Sequence, residues 1–248
     1  MDGSIDLVQQ VRAHLESLRA AGVLFVPRGE PLVIAPRSQD ASLQVAASQA
    51  VEEDPSEARR RELDVLREEV AACDRCSELF ASRSQTVFGV GPLDPDVAFV
   101  GDAPGSAEDA QGEPFAGDGG ALLRRVIAAC QLPGAEQYLF NVIKCRPPRN
   151  RAPTMSECGN CRDFFRRQFD LVKPKHLVAL GLVAAKLFTQ KNAPLAELRG
   201  QVYEYRGVPV ICTHHPDDIG GDERLKRETW EDMKLLLRTM GRDVPGAK

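Results

Sequence analysis

Between residues 97 and 213 the chain alternates short apolar runs with amphipathic stretches. The runs are Val97 to Val100, Tyr138 to Ile143, His176 to Gly181 and Val208 to Thr213. Apolar positions at helical spacing lie between them, over Ala121 to Cys130, Thr154 to Val172 and Leu182 to Thr189, and a last helix is predicted from Leu225 to Met240. Runs that are apolar throughout suit strands buried on both faces, and strands that alternate with helices need crossover connections. The pattern therefore predicts an α/β fold, three layers (αβα) around a mostly parallel four-stranded central sheet. Ahead of it, Ile5, Val8, Val11, Leu15 and Leu18 mark an amphipathic helix over residues 4–21, suited to packing on the core or on a partner protein. Residues 26–56 mix proline, small polar residues and an acidic run, which predicts a linker with one short strand near Leu32 to Ile34. Ser56 to Ala72 resumes a helix, with Leu63, Leu66 and Val70 inward, and delivers Cys73 and Cys76. The expected organisation is an N-terminal helical extension and flexible linker (1–55), an α/β domain (56–241) and a tail (242–248).

In such sheets ligands bind beyond the carboxyl ends of the strands. Those ends carry Asp102, the Asn141 to Cys145 step, Gly181, and Thr213, His214 and His215. Residues 97–120 (VAFVGDAPGSAEDAQGEPFAGDGG) form the richest stretch. A buried strand stops in a glycine-proline turn carrying one acid, and Gly117 to Gly120 lead into a helix whose N-terminus favours anions.

Composition narrows the class. With 248 residues, 43% apolar and 27% charged, the chain is ordinary for a globular protein. No apolar run approaches the roughly 20 residues of a membrane span. The N-terminus lacks the basic-then-apolar layout of a secretory signal, so a cytoplasmic protein is expected, a monomer with no membrane partner. The net charge of −4 is uneven: residues 1–72 hold 8 Arg against 13 Asp plus Glu, leaving 24 basic and 23 acidic groups in residues 73–248. A near-neutral core neither favours nor excludes nucleic acid.

Seven cysteines in a reducing compartment point to metal ligation rather than disulfides. Cys73 and Cys76 form one C-x2-C pair, Cys158 and Cys161 another, and Cys145 lies in the loop Lys144-Cys145-Arg146-Pro147-Pro148. Thiolates suit zinc or an iron-sulfur cluster. Cys130 and Cys212 fall on a helix and a strand and are expected in the core.

Four motifs in order then carry a family pattern. GDAPGSAED with GEPFAGDGG, NVIKCRPPRNRAPT with a cysteine sixteen residues after the first, HHP before a C-terminal helix, and the C-x2-C pair at 73–76 together resemble the iron-sulfur (family 4) uracil-DNA glycosylases, from about Leu63 to Met240. The resemblance implies a DNA repair enzyme that flips uracil out of DNA, hydrolyses its N-glycosidic bond and leaves an abasic site. It also implies a 4Fe-4S cluster held by Cys73, Cys76, Cys145 and Cys161, with Cys158 not ligating. Phe115 would stack on uracil, and Asn141, an amide with both donor and acceptor, would read its edge. His215 would stabilise the departing uracil anion, and Asp102 would orient water or offset sugar charge. Gly101, Ala103 and Gly105 complete the expected base pocket. Phosphates would meet Gly117, Gly119, Arg146 and Arg149, with Lys144 and Arg151 in the same loop, and Ile219 is the apolar candidate for a wedge into the duplex.

Two departures stand against the family pattern. Asp102 occupies the usual place of a glutamate, and Asp217 and Asp218 follow H-P where small, aliphatic and basic residues are usual. They leave a second reading, a weak or silent relative that serves as a DNA- or partner-binding module, with the N-terminal helix docking a repair or replication protein. A third is a zinc-bound nucleotide hydrolase.

Overall fold

A computed structural model of the chain describes residues 54–246, together with Arg12 and Glu16. Apart from Arg12 and Glu16, both helical, the helix expected over 4–21 and nearly all of the linker expected over 26–56 lie outside the described residues.

Strand β1 (Val97–Gly101) is buried along its whole length and pairs in parallel on both sides, with β2 (Gln137–Asn141) and with β3 (Leu177–Leu180). Strand β5 (Val208–Thr213) pairs in parallel with β3, and β4 (Val202–Tyr205) closes that edge antiparallel to β5. The sheet therefore has five strands in the order β2-β1-β3-β5-β4. The α/β architecture matches the expectation; the strand count differs by β4. That strand alternates Val202 and Glu204 outward with Tyr203 and Tyr205 half-buried, and returns through Arg206 and Gly207, both at positive φ (51° and 85°). Two such residues make the hairpin turn whose twist matches the flanking strands. A half-buried edge strand is not a fully apolar run, and so it escapes a search for one.

Side-chain alternation divides the core between two faces of the sheet. Ala98, Val100, Tyr138, Phe140, Leu177 and Ala179 face helices α1 (Pro55–Ala71), α5 (Met155–Val172) and α6 (Leu182–Thr189). Val97, Phe99, Val178, Leu180 and Ile211 face α4 (Asp118–Ala129) and α9 (Glu223–Thr239). Short helices α2 (Ser77–Ser82), α3 (Ser106–Gln111), α7 (Leu195–Leu198) and α8 (Pro216–Ile219) lie between the main elements. Helix boundaries fall within a few residues of those predicted because capping residues set them. Thr154 and Glu157 form a reciprocal cap at the start of α5, and Asp222 accepts from Arg224 and Leu225 at the start of α9. Among the described residues no helix is long and apolar enough to cross a membrane.

The first face is held by aromatic packing. Phe165 of α5 stacks on Phe140 of β2 with centroids 5.2 Å apart and planes 6° from parallel. Phe165→Ala should lower the unfolding free energy by ~3–5 kcal/mol, through lost transfer energy and the cavity left behind. Urea unfolding measures it, and a change below about 1 kcal/mol would mean that the site collapses around the smaller side chain.

Candidate active site

The chain runs from β1 to β2 on one side and then to β3 on the other, so its crossovers part at the carboxyl end of β1. That parting point is where open α/β sheets bind ligands. Gly101 ends β1 opposite Asn141, which ends β2. A Cβ on Gly101 would collide with the Asn141 amide oxygen and lie 2.9 Å from Cζ of Phe115, so only glycine leaves the room those groups occupy. Asn141 is 2% exposed and Phe115 is 5% exposed.

Phe115 holds φ at +56°, a left-handed conformation that costs a non-glycine residue ~1–3 kcal/mol. Its surroundings impose it. Arg124 Nη1 donates to the Phe115 carbonyl (3.1 Å), and the Gly120 backbone packs directly against that carbonyl. Glu108 bridges the loop, accepting from the N–H of Gly105 (3.0 Å) and of Gly117 (3.2 Å). Buried Asp109 accepts from the N–H of Ser84 at 3.0 Å with each oxygen. The acidic pair Glu108-Asp109 therefore ties the loop together, a role not foreseen; its signal was a G-x-x-E cap pattern just after a strand.

Asp102 sits at the start of α6, where its carboxylate accepts from Ala184 N–H (2.8 Å) and Val183 N–H (3.4 Å). Burial raises its pKa above the ordinary carboxylate value; the Ala184 amide and His215 oppose that, and Asp218 adds to it. The His215 ring lies 6.2 Å from that of Phe115, tilted by 31°. His215 Nδ1 accepts from the Asp217 N–H (3.3 Å), which in the neutral ring puts the proton on Nε2. Asp102, Phe115, Asn141 and His215, drawn from four separate segments, thus meet at one end of the sheet. Ala103 packs on the adjoining core.

Several expected DNA contacts are placed otherwise. Ile219 is 3% exposed, packed with Leu122, Leu123, Pro216 and Met233, so it pins α8 to the core and is not a protruding wedge. The N–H groups of Gly105 and Gly117 are already bonded to Glu108, and the Asp217 carboxylate rests against Gly119. Lys144 is 1% exposed, removed from any phosphate. Arg151 pairs with Glu157 (2.7 Å) and Glu78 (2.9 Å). Arg149 is exposed, at φ +57°, and Arg146 Nε donates to Asn150 Oδ1 (2.7 Å). Those two arginines remain as the basic edge of the loop.

On the other side of Asn141 stand the cysteines. None is in a disulfide, and Cys73, Cys76, Cys158 and Cys161 pack against the same core that holds buried Cys145. Arg83 donates to Cys145 Sγ (2.9 Å) and to the Cys73 carbonyl (2.8 Å), and Asn160 Nδ2 donates to Cys76 Sγ (3.4 Å). Burial first, and then the proximity of Cys73 and Cys76, raises the pKa of Cys145. Burial pushes the Cys161 thiol up to about 11 against the pull of Lys144, whose backbone N–H and ammonium both favour a thiolate there. Cys158 is also pushed up to about 11, by burial first and then by Asp102, which puts it between the cysteine group and the carboxylate. Among the described residues no three Cys, His, Asp or Glu side chains converge on a point that would hold one metal ion. Neighbouring thiols with N–H donors aimed at sulfur suit a multi-iron cluster, in which each thiolate binds its own iron. Cys130 and Cys212 are buried away from this group, as expected of core residues, and burial holds them at about 11 and about 12.

The family model described as uracil DNA glycosylase superfamily matches residues 88–234. A type-4 uracil-DNA glycosylase of Archaeoglobus fulgidus is 36% identical over 191 residues, 74% of this chain and 96% of that protein. Another of Thermotoga maritima is 34% identical over 180 residues, 71% and 93% of the two chains. A type-5 uracil-DNA glycosylase of Pyrobaculum aerophilum is 30% identical over 204 residues, 69% and 89%.

The Arg151–Glu157 pair beside the cysteines has a defined pH signature. Arg151 and the Thr154 cap hold Glu157 down at about 2, against an ordinary 4.5. A depressed folded-state pKa contributes stability that is complete above 4.5 and is lost as pH falls toward about 2. Glu157→Gln should therefore be less stable than wild type at pH 7, with the gap closing below pH 4.5, as followed by urea unfolding across pH. A gap independent of pH would show that the pair adds no charge-dependent stability.

Proposed function

Because the chain belongs to the uracil-DNA glycosylase superfamily, we propose that it is a DNA repair glycosylase that hydrolyses the N-glycosidic bond of uracil in DNA. The observation that carries the reading is the convergence of Asp102, Phe115, Asn141 and His215 at the carboxyl end of β1. Residues 56–241 are assigned to the glycosylase domain. Its substrate is uracil-containing DNA, with the uracil extruded from the stack into the pocket.

Phe115, held in a single backbone conformation, offers one ring face to the base. The Asn141 side chain supplies a donor and an acceptor for the uracil edge, and Gly101 keeps the floor open for both. As the C1′–N bond breaks, negative charge builds on uracil and positive charge on the sugar. The Nε2–H of His215 is a donor suited to the uracil anion, and a preorganised donor of this kind is worth ~3 kcal/mol of barrier. The Asp102 carboxylate is fixed by two α6 amides, so it orients water or offsets sugar charge without rearranging. Water adds at C1′, uracil leaves and is protonated, and an abasic site remains. Arg146 and Arg149 are assigned to DNA phosphates.

The donor set supports a 4Fe-4S cluster on Cys73, Cys76, Cys145 and Cys161. When bound, such a cluster ties α1, the Asn141–Cys145 segment and α5 together through covalent iron–sulfur bonds. Cys161→Ser should therefore lose the brown colour and the iron of the purified protein, whereas Cys158→Ser should keep both. The reverse pattern would exchange the two assignments.

The deciding assay is incubation with a uracil-containing oligonucleotide followed by alkali. Wild type should cut at uracil, and an intact brown protein that leaves the strand whole would sink the activity. Asp102→Asn should lower kcat by about 10²-fold with KM little changed, the size expected of a positioned acid–base group. Since the Asp102 pKa is raised, wild-type activity should fall with decreasing pH at a point above 3.8, and the mutant's residual rate should lack that limb.

A further inference from the structure

Lys144 lies on the five-residue path from Asn141 to Cys145; it is the one buried lysine or arginine among the described residues, and no carboxylate pairs with it. Its Nζ contacts three acceptors: the Asn141 carbonyl (2.9 Å), the Phe88 carbonyl (3.2 Å) and Gln168 Oε1 (2.5 Å). A neutral amine has two protons to give; three acceptors and no donor directed at it call for the third, and hence for an ammonium. The rings of Phe140, Phe88 and Phe165 surround it at 4.9, 5.9 and 6.0 Å from their centroids, offering faces that attract a cation. The Gln168 amide is itself fixed, donating to the Phe88 carbonyl (2.9 Å) and to Tyr138 Oη (3.1 Å).

A buried cation still needs an anion within reach. Two of the cysteines lie against Lys144: Cys145 is the next residue in the chain, and Cys161 accepts the Lys144 backbone N–H. Cys161, Phe165 and Gln168 lie at i, i+4 and i+7 on α5, so one helix face presents a cluster ligand, a ring and an acceptor around the same ammonium. We propose that Lys144 is the buried counter-cation of the iron-sulfur cluster and the positioning residue that holds the Asn141 end of β2 for base recognition. The inference rests on the reading of this chain as a cluster-bearing glycosylase. It assigns the cluster a task that needs no electron transfer: the bound cluster supplies the anion beside the enclosed ammonium, and the ammonium anchors the Asn141 and Phe88 carbonyls.

The test uses the full-length, cluster-loaded protein, with a redox titration of the cluster and single-turnover excision of uracil from an oligonucleotide. Removing an adjacent positive charge disfavours the more negative, reduced cluster, so Lys144→Met should have a midpoint potential more negative than wild type. It should also excise uracil about tenfold or more slowly, the usual cost of losing a partner one shell out from a metal ligand. Gln168→Met removes one anchor and leaves the charge, so it should slow excision while the potential stays at the wild-type value. An unchanged potential in Lys144→Met overturns the counter-cation role, and wild-type excision rates in both variants overturn the positioning role. Should Lys144→Met lose its cluster on purification, the Gln168→Met protein decides: slower excision at unchanged potential supports the proposal, and an unchanged rate overturns it. A wild-type protein that is colourless, or inert on uracil DNA, would instead count against the underlying reading of function.

Discussion

Strand Val97–Gly101 is hydrogen-bonded to parallel partners on both sides, and the site exists because of that pairing. Parallel strands share one carboxyl edge, so four loops leave the sheet at the same rim. Because β2 lies on one flank of β1 and β3 and β5 on the other, those loops part and leave a crevice over Gly101. Covering by helices on both faces requires β1 to be apolar throughout, and its last residue must be small enough for two neighbours to lean over it. The strand's composition, its burial and the position of the pocket are consequences of one topological fact.

The rim is rigid because its polar groups are satisfied from within the protein. Glu108 joins Gly105 to Gly117, Asp109 holds the Ser84 turn, and Arg124 holds the Phe115 carbonyl, so the loop carries an aromatic ring in a strained conformation without losing definition. Unpaired, each of these groups would cost ~1–3 kcal/mol once buried. Such bonds also exclude alternatives. The same Glu108 that stiffens the loop removes two N–H groups that a phosphate would otherwise meet. The surface left for DNA is accordingly the arginine loop at 146–149, and the acidic turn at Asp217 leans on Gly119.

The pocket and the cysteine group are two ends of a short piece of chain. Asn141 faces the crevice, Cys145 faces the cysteines, and the residues between are buried. Cys158, acted on by both Asp102 and Cys76, shows how near the two regions come. The segment that joins them is buried and tied at Lys144 to the Asn141 and Phe88 carbonyls, which suits a site that must hold a base in one orientation.

The α/β class, four of the five strands and the main helices were legible in the residues because burial on both faces demands unbroken apolar runs, and helices demand a 3.6-residue period. Strand ends and glycine-rich turns mark where a pocket can form, and the resemblance to the iron-sulfur glycosylases is what singled out Asp102, Phe115, Asn141 and His215 among the residues there. The edge strand Val202–Tyr205 was not, since a half-buried strand alternates and resembles a loop over so short a length. Lys144 read as a surface cation because charge ordinarily goes to water; only the fold brought Phe88, Gln168 and Cys161 around it from remote parts of the chain. Ile219 read as exposed for the opposite reason, since nothing in the acidic run that holds it reveals the apolar side of α4 beneath. Local pattern determined which residues become strand, helix and turn, and tertiary packing alone decided which of them are enclosed, because enclosure depends on partners distant in sequence.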